Sequence, residues 1–135
     1  MGYEVSLFLA SRGCRVIIAD VVTYQYLDLA SLTSVRKCAA ILLFNEPRLD
    51  IIINNAGCAG FKHKTEDDIY KVLQVNYIGH FLLTHLLTPL LIKTKHSRVV
   101  FVTSLLAFTN NLHLEKEYKV LYTVHYQKTY NLVTS

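Results

Sequence analysis

The sequence predicts an α/β domain built around a parallel sheet, and two kinds of segment lead to that prediction. Short Val/Ile-rich runs over residues 15–19, 49–53 and 98–103 are typical of strands buried on both faces. Segments with apolar residues at helical spacing, such as 31–44, lie between them. Alternating strands and helices favour a parallel sheet. The length of 135 residues fits one domain, here 1–135, and not two.

The first predicted element is a helix over residues 3–12, and Gly13 follows at the left-handed position that ends many helices. A strand over 15–19 ends at Asp20, and residues 21–26 are again strand-like. Two strands therefore abut at position 20, although parallel neighbours need a crossover of roughly a dozen residues or more. Either these residues form one long strand, or a segment that normally separates two strands is absent.

The middle of the chain continues the alternation. Ser31 is a suitable N-cap for the helix over 31–44, and the strand 49–53 follows it. Thr65-x-x-Asp68 resembles a capping box and predicts the start of a long, mostly buried helix that runs to about residue 91. A strand over 98–103 comes next. Residues 105–114 are predicted to be loop, and the tail from 119 is compatible with helix or strand.

Composition excludes several classes of protein. Hydrophobic residues make up 52% of the chain and charged residues 18%, which excludes a disordered chain. The net charge of +4 is scattered, and its densest run, 93–98, is typical of a solvated loop and not of a nucleic-acid surface. Three widely spaced cysteines indicate a reducing compartment, so we expect the cytoplasm or the cytosolic face of an intracellular membrane.

Metal and membrane sites are not expected either. His80 and His85 are five positions apart and would lie on different faces of a helix, so no metal site is predicted. The apolar run 77–92 contains histidines, threonines and a proline, which makes it too short and too polar for a transmembrane segment. We expect it to be a buried or subunit-facing helix, and hence a possible contact in a homo-oligomer.

Three polar features interrupt this apolar pattern. Asn54-Asn55-Ala56-Gly57 follows one predicted strand, Ser104 follows another, and Asn76 lies inside the long helix. Singly, these are ordinary turn, cap and core residues. Open α/β sheets bind ligands at the carboxyl ends of their strands, and a buried amide needs a hydrogen-bond partner. Together the three features indicate a binding site at that edge.

These motifs resemble the short-chain dehydrogenase/reductase family, and within it the retinol-dehydrogenase-like members. The resemblance implies a Rossmann-type, doubly wound parallel sheet that binds NAD or NADP and interconverts an alcohol and a carbonyl in a small-molecule substrate. Retinoids, steroids or other lipids are the implied substrates. The matching segments cover nearly the whole chain and are residues 12–19, 27–29, 50–57, 75–81 and 98–104.

The resemblance also implies roles for individual residues. Ser104 would bond the substrate oxygen, and Asn76 would hold a water in a proton relay. A tyrosine would be the acid/base, with a lysine four residues later that lowers its pKa, because a phenol needs a nearby cation to act near neutral pH. The implied cofactor-binding residues are Gly2, Asp20, Asp28, Leu29, Asn54, Asn55, Ala56, Gly57 and Lys128.

The chain departs from the family pattern in ways that predict an incomplete fold. The first strand with its Gly-rich loop, one crossover helix and the C-terminal part are missing from the pattern, and Gly2 matches the last glycine of the loop. We therefore expect weakened cofactor binding. Without the crossover, Asp20 belongs to either side of the gap, so it does not indicate NAD over NADP.

No single alignment gives both the tyrosine and the lysine that the family pattern requires. Alignment on Lys128 and Asn131, which we favour, puts Val124 in the place of the acid/base. Alignment on Tyr122 puts Tyr126 in the place of the lysine. The sequence thus leaves three hypotheses open. The chain is an oxidoreductase of this family, or a catalytically inactive, truncated relative that acts at most as a dimerisation partner. The third hypothesis is a chain that does not fold stably alone, because its sheet would have an unpaired central edge.

Overall fold

The computed structural model describes residues 2–21, 25–59 and 63–103 and the short strand at 130–131. Helices alternate with parallel strand pairs, so the α/β prediction is confirmed. The helices are α1 (Gly2–Ser11), α2 (Leu32–Asn45), α3 (Lys71–Leu73) and α4 (Gly79–Thr94), with a π-helical turn (Gln74–Ile78) between the last two. The strands are β1 (Ala19–Asp20), β2 (Gln25–Tyr26), β3 (Ile51–Asn54), β4 (Arg98–Phe101) and β5 (Tyr130–Asn131).

The strands form two small sheets. In one, β3 pairs with β4 in parallel, with Ile51 opposite Arg98 and Asn54 opposite Phe101, and β5 adds an antiparallel edge to β4. This antiparallel edge was not predicted. In the other sheet, β1 and β2 pair in parallel.

The β1–β2 pair decides between the two alternatives for this region: it excludes one long strand and agrees with the absence of a segment between two strands. Ala19 lies opposite Gln25, with only positions 20–24 between them, so the chain forms neither one long strand nor a full crossover. The predicted strand over 15–19 is strand only at its last residue. The two strands pair over two residues each.

Helix α2 and the long helix that follows β3 enclose the main core. Ser31 is the N-cap of α2, as predicted, and its Oγ accepts a hydrogen bond from the Ser34 backbone N–H at 3.3 Å. Gly79 lets the long helix approach closely, because a Cβ there would lie 3.0 Å from both the backbone oxygen and Cδ2 of Leu29. The buried core residues are Leu27, Leu29, Val35, Cys38, Ala39, Leu83 and Leu87.

Helix α1 ends as predicted but buries nothing. Gly13 has φ +81°, and the N–H of Cys14 bonds the carbonyl of Leu9 at 3.1 Å, which is the Schellman arrangement. No residue of α1 is buried. A cavity of about 450 Å³ separates α1 from the β3–β4 face. Ile51 of β3 is 38% exposed, so the prediction that this strand is buried on both faces is wrong for the described part of the chain.

The long helix also begins later than predicted. Asp68 has φ +59°, a left-handed conformation that a right-handed helix cannot contain. The Thr65 hydroxyl accepts the Asp67 N–H at 3.3 Å and closes a turn, and the helix starts at Lys71. The predicted capping box is therefore a tight turn ahead of the helix.

From Lys71 to Thr94 the helix has 24 residues, which is long and apolar enough to cross a membrane by length and composition. The apolar run 77–92 is the inner part of this longer helix. One such helix is weak evidence, since core helices meet the same criteria, and here Leu83 and Leu87 lie in the core against α2. The outer face carries Tyr77 and Phe81, which are 53% and 60% exposed, so the helix is less buried than predicted.

Candidate functional site

The carboxyl end of β3 is held by hydrogen bonds on two sides. The Asn54 side chain is only 3% exposed, and its Nδ2 donates to Thr84 Oγ1 of α4 at 3.0 Å. Its backbone carbonyl accepts the N–H of Val102, just beyond β4, at 3.0 Å. The side chain of Asn54 therefore anchors the strand end to α4, and the residues that follow form the accessible edge.

Asn76 fixes the loop after β3 through a pair of hydrogen bonds. Its Oδ1 accepts the Cys58 backbone N–H at 2.8 Å, and its Nδ2 donates to the Cys58 carbonyl at 2.9 Å. One carboxamide thus satisfies both backbone groups of Cys58, as a neighbouring strand would. The sequence expectation that Asn76 lies at this edge agrees with the structure. The structure adds that its side chain is engaged by the loop.

The π-helical turn positions Asn76. The N–H of Gly79 bonds the carbonyl of Gln74, five residues back, so the turn contains one more residue than an α-helical turn. Such turns are common at functional sites because they redirect a side chain. One helical turn later, His80 Nε2 donates to the Ala56 carbonyl at 2.7 Å.

The helix therefore holds the loop at two points, through hydrogen bonds to Ala56 and to Cys58. Ala56 and Gly57 are both exposed residues, and neither carries a side chain large enough to cover the backbone there. Asn76, His80 and Thr84 are spaced at i, i+4 and i+8 in an apolar helix. That spacing is the signal in the sequence that could have identified His80 and Thr84, which the sequence analysis missed.

The N-terminus of α1 lies beside the same edge. A Cβ on Gly2 would be 3.1 Å from Nδ2 of Asn55. The first N–H groups of a helix have no partner within the helix and carry a partial positive charge. The structure therefore places Gly2 and Asn55 close together, next to the exposed residues Ala56 and Gly57.

Three further predicted residues lie at the carboxyl ends of β1 and β2. Asp20 is exposed, and its Oδ1 accepts the adjacent Val21 N–H at 2.6 Å. Asp28 Oδ1 accepts the Ala30 N–H at 2.8 Å. Leu29 is buried against the long helix. Asp20 and Asp28 thus keep their carboxylates near the surface, whereas the Leu29 side chain belongs to the core.

The remaining predicted residues, Ser104, Tyr122, Tyr126 and Lys128, lie outside the described residues. The position next to Ser104 that the structure does describe is Thr103, two residues beyond β4. Within the described ranges, no three His, Cys, Asp or Glu side chains are grouped closely enough to hold a metal ion.

Comparison with known proteins identifies the family. Residues 19–116 match the sequence model of the family described as short chain dehydrogenase. The chain belongs to the short-chain dehydrogenase/reductase family. It is 42% identical over 124 positions to human dehydrogenase/reductase SDR family member 13, covering 77% of this chain and 33% of that protein. It is 52% identical over 79 positions to human retinol dehydrogenase 14, covering 58% of this chain and 24% of that protein.

Solved structures of this family share the fold. A short-chain dehydrogenase/reductase from Brucella ovis superposes with a TM-score of 0.66 at 22% identity, over 83% of this chain and 59% of that one. The apo SCOR enzyme from Clostridium thermocellum gives 0.64 at 21% identity, over 82% and 52%. The incomplete Rossmann-type fold and the retinol-dehydrogenase-like membership are therefore confirmed. The chain spans about a third of the length of the curated relatives that it matches.

The alignments also indicate an internal gap. The 124 aligned positions with the human SDR family member 13 correspond to 77% of the 135 residues, or about 104, so some 20 positions of the relative have no counterpart here. The retinol dehydrogenase 14 alignment covers 58% of the chain with 79 positions and is almost free of such gaps. Within the aligned span, this chain therefore lacks positions that the human SDR family member 13 has.

Proposed function

We propose that this chain forms the strand-edge part of an NAD- or NADP-dependent oxidoreductase that interconverts an alcohol and a carbonyl. The observation that carries the proposal is the double hydrogen bond between Asn76 and Cys58, which presents the Ala56–Gly57 backbone at the carboxyl edge of the sheet. Family membership supports the type of reaction, and the relatives include a human retinol dehydrogenase and a zebrafish polyprenol dehydrogenase.

The residues present fit a nicotinamide dinucleotide. The N-terminus of α1 at Gly2 would face its phosphates, because unbonded helix N–H groups attract anions. Asn55, Ala56 and Gly57 would line the ribose, and Asp28 would lie beside the adenine. When bound, the dinucleotide accepts or donates a hydride. Nothing among these residues distinguishes NAD from NADP.

In this proposal the proton is handled by residues of the tail and of the β4 end. Ser104 would donate a hydrogen bond to the substrate oxygen. Tyr122 or Tyr126 would supply the phenol, and Lys128 would lower the pKa of that phenol by charge proximity. Val124 occupies the phenol's place in the alignment that we favour, and a valine cannot transfer a proton. We therefore expect low turnover from this chain.

The substrate and location follow from the relatives and from the cysteines. Retinol and polyprenol in the names of the relatives favour a lipid alcohol, with steroids as another member of that class. Cys14, Cys38 and Cys58 are all free thiols, which favours the cytoplasm or the cytosolic face of an intracellular membrane.

A fluorescence titration with NADH, and separately with NADPH, tests the cofactor site. Ala56→Asp places a negative charge on the exposed edge and is expected to weaken binding at least about tenfold, equal to ~1.4 kcal/mol. The matched control is Ala40→Asp, on the exposed face of α2, which should leave the dissociation constant unchanged. No saturable binding by the wild-type chain at millimolar cofactor would contradict the proposal.

A second candidate function is that of an inactive relative that pairs through its long helix. Tyr77 and Phe81 stack with ring centroids 6.4 Å apart, and Phe81 and His85 stack at 6.2 Å, so three rings form an exposed stripe on one face. Size-exclusion chromatography should show a dimer that Phe81→Glu dissociates. The control is Phe44→Glu on α2, since Phe44 is 90% exposed there. A monomeric wild-type chain excludes this function.

A further inference from the structure

Gln74 is the most deeply buried polar residue of the long helix, and both polar atoms of its side chain are hydrogen-bonded. It is 0% exposed. Its Oε1 accepts the Thr65 hydroxyl, and its Nε2 donates to Asp67 Oδ2 at 2.6 Å. Burial of an amide is costly unless such partners are present, so the turn 65–68 and Gln74 require each other.

Asp67 extends this contact to a second helix. The same Oδ2 atom accepts the backbone N–H of Leu32, the first residue of α2, at 2.9 Å. The neighbouring Glu66 carboxylate accepts the hydroxyl of Ser31, the α2 N-cap. The turn is thus tied to the N-terminus of α2 on one side and to Gln74 on the other.

Gln74 is also the first residue of the π-helical turn. Its carbonyl accepts the Gly79 N–H, and Gly79 is pressed against Leu29 with no room for a side chain. Both ends of the turn are therefore held, one by the Gln74 side chain and the other by the close contact at Gly79. Asn76 lies between these fixed ends, and its carboxamide is directed to Cys58.

We propose that Gln74 is the positioning residue of this site: its clamp by Thr65 and Asp67 holds the π-helical turn that aims Asn76 at Cys58. Gln74 is buried away from the exposed edge and acts through Asn76. The inference rests on the proposed function only for the role of Asn76 in the site. The hydrogen bonds that hold Gln74 and Asn76 do not depend on a ligand.

Hydrogen exchange of the full chain without ligand tests the clamp, with the Cys58 N–H as the reporter of the Asn76 contact. Gln74→Leu and Asp67→Ala are each expected to accelerate exchange at Cys58 by at least about tenfold, while interior amides of α2 keep their rates. Asp67→Asn retains an oxygen that accepts from both Leu32 and Gln74, so it should leave Cys58 protected. If Gln74→Leu fails to fold, Asp67→Ala decides, because Asp67 is only half-buried.

Three results would overturn the inference. They are unchanged Cys58 protection in Asp67→Ala, equal acceleration of all amides, and equal acceleration in Asp67→Asn and Asp67→Ala. An NADH titration of the same variants then separates this inference from the proposed function. Loss of Cys58 protection in a chain that never bound NADH supports the clamp and contradicts the cofactor site.

Discussion

The pair of hydrogen bonds between Asn76 and Cys58 predicts a pH-dependent defect in Asn76→Asp. The aspartate still accepts the Cys58 N–H, but its second oxygen replaces an N–H donor that lies 2.9 Å from the Cys58 carbonyl. A lost hydrogen bond that also leaves two acceptors facing each other costs about 1–3 kcal/mol. Asn76→Ala, which removes both bonds, should cost about 2 kcal/mol at every pH, counting roughly 1 kcal/mol for each.

The sign of the pH dependence follows from which form of the new carboxyl group can donate a hydrogen bond. Only the protonated carboxyl can donate to the Cys58 carbonyl, so folding raises the pKa of the new aspartate above its unfolded value of about 3.9. The variant is therefore closest to wild type at low pH and loses stability as the pH rises through the folded pKa. Urea unfolding of wild type and variant at pH 4 and pH 7 measures the difference.

Asn55→Asp is the matched control for this experiment. It introduces the same charge beside the N-terminus of α1, where a carboxylate is neutral or stabilising by a few tenths of a kcal/mol. The reasoning is refuted if Asn76→Asp is no less stable than Asn55→Asp at pH 7. It is also refuted if the penalty stays the same at pH 4.

Three other predictions concern the backbone and the thiols. Lys95 has φ +53° and ψ 138°, a strained conformation for a residue with a side chain. Lys95→Gly should therefore stabilise the folded chain by about 1 kcal/mol in the same urea assay. The control Lys93→Gly, in the last turn of α4, should destabilise it by about 0.7–1 kcal/mol. Destabilisation by both would show that Lys95 is not strained. Gly79→Ala gains about 1 kcal/mol of helix propensity but puts a Cβ 3.0–3.1 Å from two backbone oxygens. The cost of this overpacking should exceed the gain, so thermal melts should show a net loss of stability of about 1 kcal/mol. An unchanged melting midpoint would contradict the close approach. Burial raises the pKa of the Cys38 thiol. At pH 8 a chromogenic disulfide reagent should therefore modify the exposed Cys14 rapidly and Cys38 only on unfolding. Rapid modification of both thiols would contradict the packing of α2.

The sequence predicted the elements whose ends are set by local chemistry. Ser31 begins α2 because its side chain caps a backbone N–H, and Gly13 ends α1 because it adopts a left-handed conformation. The start of the long helix was misjudged, because Thr65-x-x-Asp68 satisfies the capping pattern while Asp68 adopts φ +59°. A capping pattern does not reveal which residue will leave the helical region.

The site was predicted in its location but not in its connections. Asn54, Asn76 and Gly57 could be placed at one edge because strand ends meet there in a parallel sheet. The π-helical turn could not be predicted, because a five-residue hydrogen bond leaves the apolar spacing on either side almost unchanged. The clamp of Gln74 by Thr65 and Asp67 depends on that turn and on side chains seven or more residues earlier in the chain, so no helical periodicity in the sequence marks it.

β3 and β4 lie side by side although Ile51 and its partner Arg98 are 47 positions apart in the chain. Pairing of such distant segments costs loop entropy before any contact is gained, so we expect the helix between them to form first and shorten the loop. The edge that carries Asn54 and Cys58 would then assemble late in folding. A ligand that binds this edge meets chains that have already folded, so its expected effect is to slow unfolding and not to speed folding.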